Sequence, residues 1–125
     1  MNLLLDTHTL LWWLDDNPTL SEEARAAIGD GGNPVFVSAV VIWEIRIKQG
    51  LGKLRLPPDF RQVLERQPFE NLPITAEHAH RVAELPSHHR DPLDRMLVAQ
   101  AMTEKLTIVT RDPDIARYRV RTVTA

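Results

Sequence analysis

The chain reads as an α/β layer protein with a mainly parallel sheet, and three observations predict it. Short apolar runs, among them Leu3-Leu4-Leu5, Val35-Phe36-Val37 and Ile108-Val109-Thr110, alternate with longer stretches that carry helix caps. The runs lead into polar capping residues with little intervening loop, as strand-to-helix joints do. The size also fits: 125 residues, 43% hydrophobic and 26% charged, suffice for one domain with one core, taken as residues 1–125.

In chain order, residues 2–6 form a short buried strand ending at Asp6, and Thr7 to Leu14 a helix closed by Asp15-Asp16-Asn17-Pro18. Ser21 caps a helix to about Ile28, with Glu22 and Glu23 in its first turn facing the positive end of the dipole. Gly31 to Pro34 is a loop, Val35 to Val37 a strand, and Ser38 caps a helix from Ala39 to about Gln49 that Gly50 ends. Leu51 to Leu56 is assigned no element. A helix covers roughly 59–66, and Asn71 to Ile74 is an edge-like strand, because Pro73 has no N–H for a ladder. Thr75 caps a helix to about Leu85, and residues 86–90 are a polar loop. Asp91-Pro92 is a cap-and-proline pair opening a helix to about Glu104. Leu106 to Thr110 is a strand, Asp112-Pro113 opens a short helix, and Arg119 to Val123 is the last strand.

Composition narrows the function classes. Fifteen basic against 17 acidic residues give a net charge of −2, which argues against a passive basic nucleic-acid binder but not against a nuclease that uses cations. The absence of cysteine removes disulfides, zinc–thiolate sites and thiol nucleophiles, and suits a reducing, cytoplasmic setting. No apolar stretch of about 18 residues exists, and the start lacks a basic region, so neither a membrane span nor a signal peptide is expected.

The chemistry lies in the acids at the joints. Asp6 and Asp112 follow strands, Asp94 lies in a helix's first turn, and Glu44 sits on the helix after the second strand among Val40, Val41, Ile42, Trp43 and Ile45. Parallel strands would bring such residues to one edge of the sheet, where ligands bind in folds of this kind. Carboxylates crowded together raise one another's pKa, and a divalent cation removes that penalty; oxygen donors suit Mg2+ or Mn2+. Each acid also has a plain structural reading. Asp91 and Asp112 are natural N-caps, Asp94 suits a capping box around Asp91, and Glu44 suits an exposed helix face. Thr7, Ser38 and Thr110 flank the acids, either orienting them or capping helices. Arg90, Arg95 and Arg111 sit beside the acids and serve either substrate phosphate or ordinary ion pairs. His8 adjoins Asp6, and the remaining histidines, His78, His80, His88 and His89, show no dense ligand spacing and read as surface residues. Leu10 to Leu14 is apolar all round, so Trp12 and Trp13 pack either in the core or against a partner protein.

Leu-Leu-Asp-Thr-His at 4–8, Ser-Ala-Val-Val-Ile-Trp-Glu-Ile at 38–45, His-Arg-Asp-Pro-Leu-Asp-Arg-Met-Leu-Val-Ala-Gln-Ala at 89–101 and Val-Thr-Arg-Asp-Pro at 109–113 resemble a PIN domain, especially the VapC-type toxins of toxin–antitoxin pairs. The resemblance spans essentially the whole chain, with four motifs in order. It implies a three-layer α/β/α sandwich on a five-stranded sheet and a Mg2+- or Mn2+-dependent endoribonuclease. The family's acids fall on Asp6, Glu44, Asp94 and Asp112, and its Ser/Thr supports on Thr7 and Thr110. It further implies a homodimer blocked by a cognate antitoxin docked near the early helices, which suits Trp12 and Trp13. Leu93 stands where a related subgroup carries an aromatic residue, and Asp91 is left as either metal ligand or cap. Two other readings stand beside this one: a catalytically inactive protein-binding module, and a receiver-like phosphoacceptor. The latter lacks a second acid beside Asp6 and a lysine within 106–123.

Overall fold

Leu3, Leu4 and Leu5 are all shielded from solvent, and the architecture follows from that. A run with no polar face is stable as a strand only when covered on both sides. In the computed structural model, which describes all 125 residues, this run is β1 (Leu3–Leu5), the central strand of a five-stranded sheet. The others are β2 (Val35–Ser38), β3 (Glu70–Leu72), β4 (Thr107–Thr110) and β5 (Thr122–Thr124). Their order is β3-β2-β1-β4-β5, and every pairing is parallel. Six helices complete a three-layer α/β/α sandwich: α1 (Thr7–Leu14), α2 (Glu22–Gly29), α3 (Ala39–Gly50), α4 (Phe60–Glu65), α5 (Ala76–Val82) and α6 (Pro92–Glu104). The buried apolar side chains form one continuous core. Burial of each β1 leucine contributes about 1.5–3 kcal/mol, so this strand anchors the sheet.

The strand order positions the site. From β1 the chain moves outward through β2 to β3, then returns to lay β4 and β5 on the other side of β1. The direction therefore reverses between β1 and β4, leaving a crevice at their carboxyl ends.

Several boundaries differ from the sequence reading, each for a physical reason. The first strand stops at Leu5, because Asp6 already caps α1. The third strand is Glu70–Leu72, ending before Pro73, and it does lie at the sheet edge. The fifth helix stops at Val82 rather than near Leu85, because the backbone tightens there: the N–H groups of Ala83, Glu84 and Leu85 donate to the carbonyls three residues back at 3.2, 3.0 and 3.2 Å, and Pro86 has no N–H to continue. Asp112-Pro113 opens no α-helix: a single 3-10 turn follows at Ile115–Arg117. The last strand starts at Thr122, after a turn in which the Val120 N–H donates to the Tyr118 carbonyl. No helix is long and apolar enough to cross a membrane.

Candidate active site

Asp6 stands where β1 gives way to α1, and both of its oxygens are held. The Thr9 N–H donates to Oδ1 at 3.0 Å, which is the N-cap bond. The Thr9 hydroxyl lies 2.6 Å from the same oxygen and 2.8 Å from the Val109 carbonyl, so its one proton serves two acceptors. The Thr110 hydroxyl, at the end of β4, donates to Oδ2 at 2.5 Å. Glu44 projects from α3 and is held in the same way: Thr7 donates a short hydrogen bond to Oε1, and Lys48 Nζ lies 2.9 Å from Oε2. Both carboxylates are 8% exposed, so these bonds replace most of their water.

The other side of the crevice is built differently. Asp94 lies in the first turn of α6, and Asp112 follows β4. No hydroxyl donates to either. A single imidazole joins them instead, with His89 Nε2 at 3.2 Å from Asp94 Oδ2 and 2.9 Å from Asp112 Oδ2. Asp6, Glu44, Asp91, Asp94 and Asp112 all line one cleft of about 380 Å3, together with Thr7, His8, Trp12, Lys48 and Arg111.

The cleft is electrostatically loaded. Burial pushes the Asp94 carboxyl up to about 7, and the nearby charges of Asp91, Glu44 and Asp112 add to the rise, with His89 opposing it. Burial pulls His89 down, but its hydrogen bond to Asp112 and the charges of Asp94, Asp112 and Asp114 outweigh that, and its pKa is raised. Proton and cation equilibria therefore meet near neutral pH on the Asp94 side.

The structure thus brings Asp6, Glu44, Asp94 and Asp112 to one cleft and sets Thr7 and Thr110 on two of them. Asp91 caps α6, its Oδ1 accepting the Leu93 N–H at 2.8 Å, while also lining the cleft. Asp94 makes no capping box with it and turns to His89 instead. Ser38 caps α3 and also donates to Gln100 Oε1 at 2.5 Å. Arg95 is turned inward onto backbone carbonyls and the Tyr118 hydroxyl. Arg111 holds the Thr19 and Ala125 carbonyls and lies over the Trp12 ring at 4.8 Å. Arg90 is exposed. Trp12 and Trp13 are half-buried against the chain itself, Trp13 through Gln67 and Phe69 and Trp12 through His8 and Arg111.

The surface reading of the histidines needs correction at two positions. His78 is buried and closes a capping box with Thr75, its Nδ1 accepting the Thr75 N–H at 3.1 Å. His89 is half-buried inside the acid cluster. Thr9, Lys48 and His89 are the residues that sequence reasoning missed. Thr9 sits one helical turn from Asp6 and Lys48 one turn from Glu44, spacings that could have pointed to them.

The donors fit a divalent ion of the oxygen-preferring kind. The carboxylates outnumber the cations Lys48, Arg111 and His89 set among them, and burial together with the neighbouring acids pushes the Asp94 carboxyl up. The tightest set of potential ligand atoms, all within 4.8 Å of one another, is His89, Asp112 and Asp114, so the Asp112 corner is the most compact part of the cluster.

A parallel sheet whose reversal point gathers carboxylates from four separate segments defines an acid-cleft α/β protein equipped to hold a cation. The chain belongs to the PIN domain family, whose model matches residues 3–120, and proteins of this family are generally metal-dependent nucleases. Among solved structures it is similar to the DNA-bound VapBC of Salmonella typhimurium (19% identity, 98% and 97% of the two chains covered, TM-score 0.73). It is also similar to VapBC2 of Rickettsia felis bound to a promoter DNA fragment (17%, 98% of each chain, 0.72) and to VapBC-5 of Mycobacterium tuberculosis (21%, 100% of each, 0.63). At these identities the likeness establishes the fold. No curated protein matches the chain significantly.

Proposed function

We propose that this single domain, residues 1–125, is a Mg2+- or Mn2+-dependent endoribonuclease, the toxin of a toxin–antitoxin pair that restrains translation or growth by cutting RNA. The observation that carries the reading is the cleft itself: four carboxylates from different elements meet at the reversal point of the sheet, two of them pinned by hydroxyls. Family membership supports the nuclease class, and the VapBC likenesses support an antitoxin partner and a cytoplasmic protein.

In this reading Asp6, Glu44, Asp94 and Asp112 hold the ion, and oxygen donors favour Mg2+ or Mn2+. Such an ion, when bound, polarises a phosphodiester and eases ionisation of an attacking water. The chain's own residues do the rest. Thr9 and Thr110 fix the Asp6 carboxylate, and Thr7 fixes Glu44, so no reorientation is needed on that side. His89, held between two acids, stands where it can keep or release a proton beside the reacting group. A homodimer belongs to the same reading. Trp43, Ile47 and Leu51 are exposed at successive turns of one face of α3, an apolar stripe suited to a second copy.

The test is RNA cleavage with added Mg2+ or Mn2+, comparing the wild type with Asp6→Asn and with chelator. Asparagine keeps the cap acceptor, and the Thr110 hydroxyl can rotate to accept from the amide, so the fold is retained. No cleavage by the wild type with either metal, or cleavage that chelator and Asp6→Asn leave unchanged and that therefore does not come from this cleft, would point instead to a protein-binding module of the same fold.

A further inference from the structure

Two cavities away from the acid cleft share Arg119 and Met102 and so form one groove. The first, about 540 Å3, is walled by Arg81, Arg117 and Arg119 and reaches His88. The second, about 460 Å3, adds Lys105 and Arg121, and no carboxylate lines it. Opposing charge is sparse: Glu84 lies 3.5 Å from Arg81, and Asp114 is a loose 3.9 Å from Arg117. Arg119, Arg121 and Lys105 are exposed and have no ion-pair partner. The net charge of −2 conceals a third of the chain's 15 basic residues on this one surface.

We infer that this groove is a track for the sugar–phosphate backbone of single-stranded RNA, leading it to the acid cleft. The inference rests on the ribonuclease reading above. Four of the five cations are arginines, whose planar forks match phosphate bidentately. The groove ends at His88, whose ring meets Tyr118 edge-on at 4.9 Å, giving an aromatic wall against which a base can stack. The next residue, His89, joins Asp94 to Asp112, so the His88 end of the groove lies one residue along the chain from the cleft's imidazole, while its Lys105 and Arg121 end lies at the amino ends of β4 and β5. Ala101 and Met102 of α6 line the groove, and from Lys105 at its far end to Asp94 in the cleft the helix covers about 17 Å at an α-helical rise, room for several nucleotides. Function also requires such a track. A cleft of carboxylates repels a polyanion, and a cationic surface beside it supplies the attraction that the cleft cannot.

The closing experiment measures binding and cleavage separately. A short fluorescein-labelled single-stranded RNA is titrated in EDTA, where no cutting occurs, against the wild type and Arg119→Ala/Arg121→Ala. The expected result is roughly tenfold weaker binding and a salt dependence shallower by about 1.4, or about 0.7 for each phosphate no longer neutralised. In Mn2+, KM for a long RNA rises while kcat, Mn2+ affinity and the unfolding midpoint stay at wild-type values. Arg119→Lys/Arg121→Lys, which keeps the charge, restores the salt slope. Wild-type affinity and slope in a folded alanine variant would overturn the track. So would an oligoglutamate peptide that competes as well as RNA of equal charge, since the groove would then be a seat for acidic protein. Failure of the ribonuclease reading looks different: the wild type would cut no RNA with Mg2+ or Mn2+, or Asp6→Asn would cut as well as the wild type, whatever the groove variants bind.

Discussion

The two walls of the acid cleft are built by opposite strategies. On the β1 and α3 side, Asp6 and Glu44 are buried, and hydroxyls of Thr7, Thr9 and Thr110 donate to them. On the α6 side, Asp94 and Asp112 receive no hydroxyl and share one imidazole, and Asp94 is lifted to about 7. One wall is therefore held in place by hydrogen bonds before any cation arrives. The other sits at the balance point between proton and cation. A cleft with two fixed walls would carry an unrelieved negative charge in the metal-free protein; a cleft with two adjustable walls would have to reorganise on every binding event.

The largest expected effect tests the fixed wall. Asp6→Asn should lower RNA cleavage by more than the roughly 10–100-fold that loss of a supporting group costs, with an unchanged circular dichroism spectrum. Thr110→Val comes next. It strips a donor from Asp6 and an acceptor from the Asp112 N–H, which donates to the Thr110 hydroxyl at 3.0 Å. Unfolding should cost about 1–3 kcal/mol less than in the wild type, and Mn2+ affinity measured by calorimetry should drop about tenfold or more. If His89→Gln changes that affinity by the same factor, the two walls do not differ as described.

The adjustable wall is tested by pH. A carboxyl raised to about 7 keeps its proton in the folded state but not in the unfolded one between its ordinary 3.8 and 7. The metal-free protein therefore loses stability as pH climbs through that window. His89, also raised, acts in the same direction: its contribution is complete below the ordinary histidine value and is lost as pH rises through its folded value. Melting curves without metal should fall between pH 5 and 8, and saturating Mn2+ should reduce or reverse the slope, because both groups must lose protons to admit the ion. A flat metal-free profile would remove the distinction. The smallest effect belongs to Lys48→Met. Lys48 is about a third exposed, so solvent screens the pair, and Glu44, though buried, keeps its Thr7 hydrogen bond; the loss should alter stability by about 0.5–1 kcal/mol in urea titrations.

The contrast also explains what the sequence could disclose. The four acids are marked locally, since Asp6 and Asp112 follow strands, Asp94 lies in a first turn, and caps at Ser38 and Asp91 set where α3 and α6 begin, whereas the Thr7–Glu44 and Thr110–Asp6 bonds span 37 and 104 residues. Parallel topology then brings the acids together, so the fold and the four carboxylates were legible. The adjustable wall depends on long-range contacts. His89 is placed by the Tyr118 hydroxyl, which accepts its N–H at 2.9 Å, and by Asp112, partners 29 and 23 residues away. No local pattern distinguishes such a histidine from one on the surface. The early stop of α5 has a local cause instead, the tightened turns ahead of Pro86, which carries no N–H. The basic groove escaped notice because its members are scattered from Arg81 to Arg121 and cancel against acids in any count of charge.

Arg95 ties these threads together. It follows Asp94 directly in α6, and its guanidinium reaches the Val82, Leu85 and Pro86 carbonyls and, at 3.3 Å, the hydroxyl of Tyr118. The segment bearing His88 and His89 is therefore moored to the same helical turn that presents Asp94. Any excursion of that segment must first loosen a guanidinium clasp, so the imidazole and its acid travel as one piece and their registry survives thermal motion elsewhere in the chain.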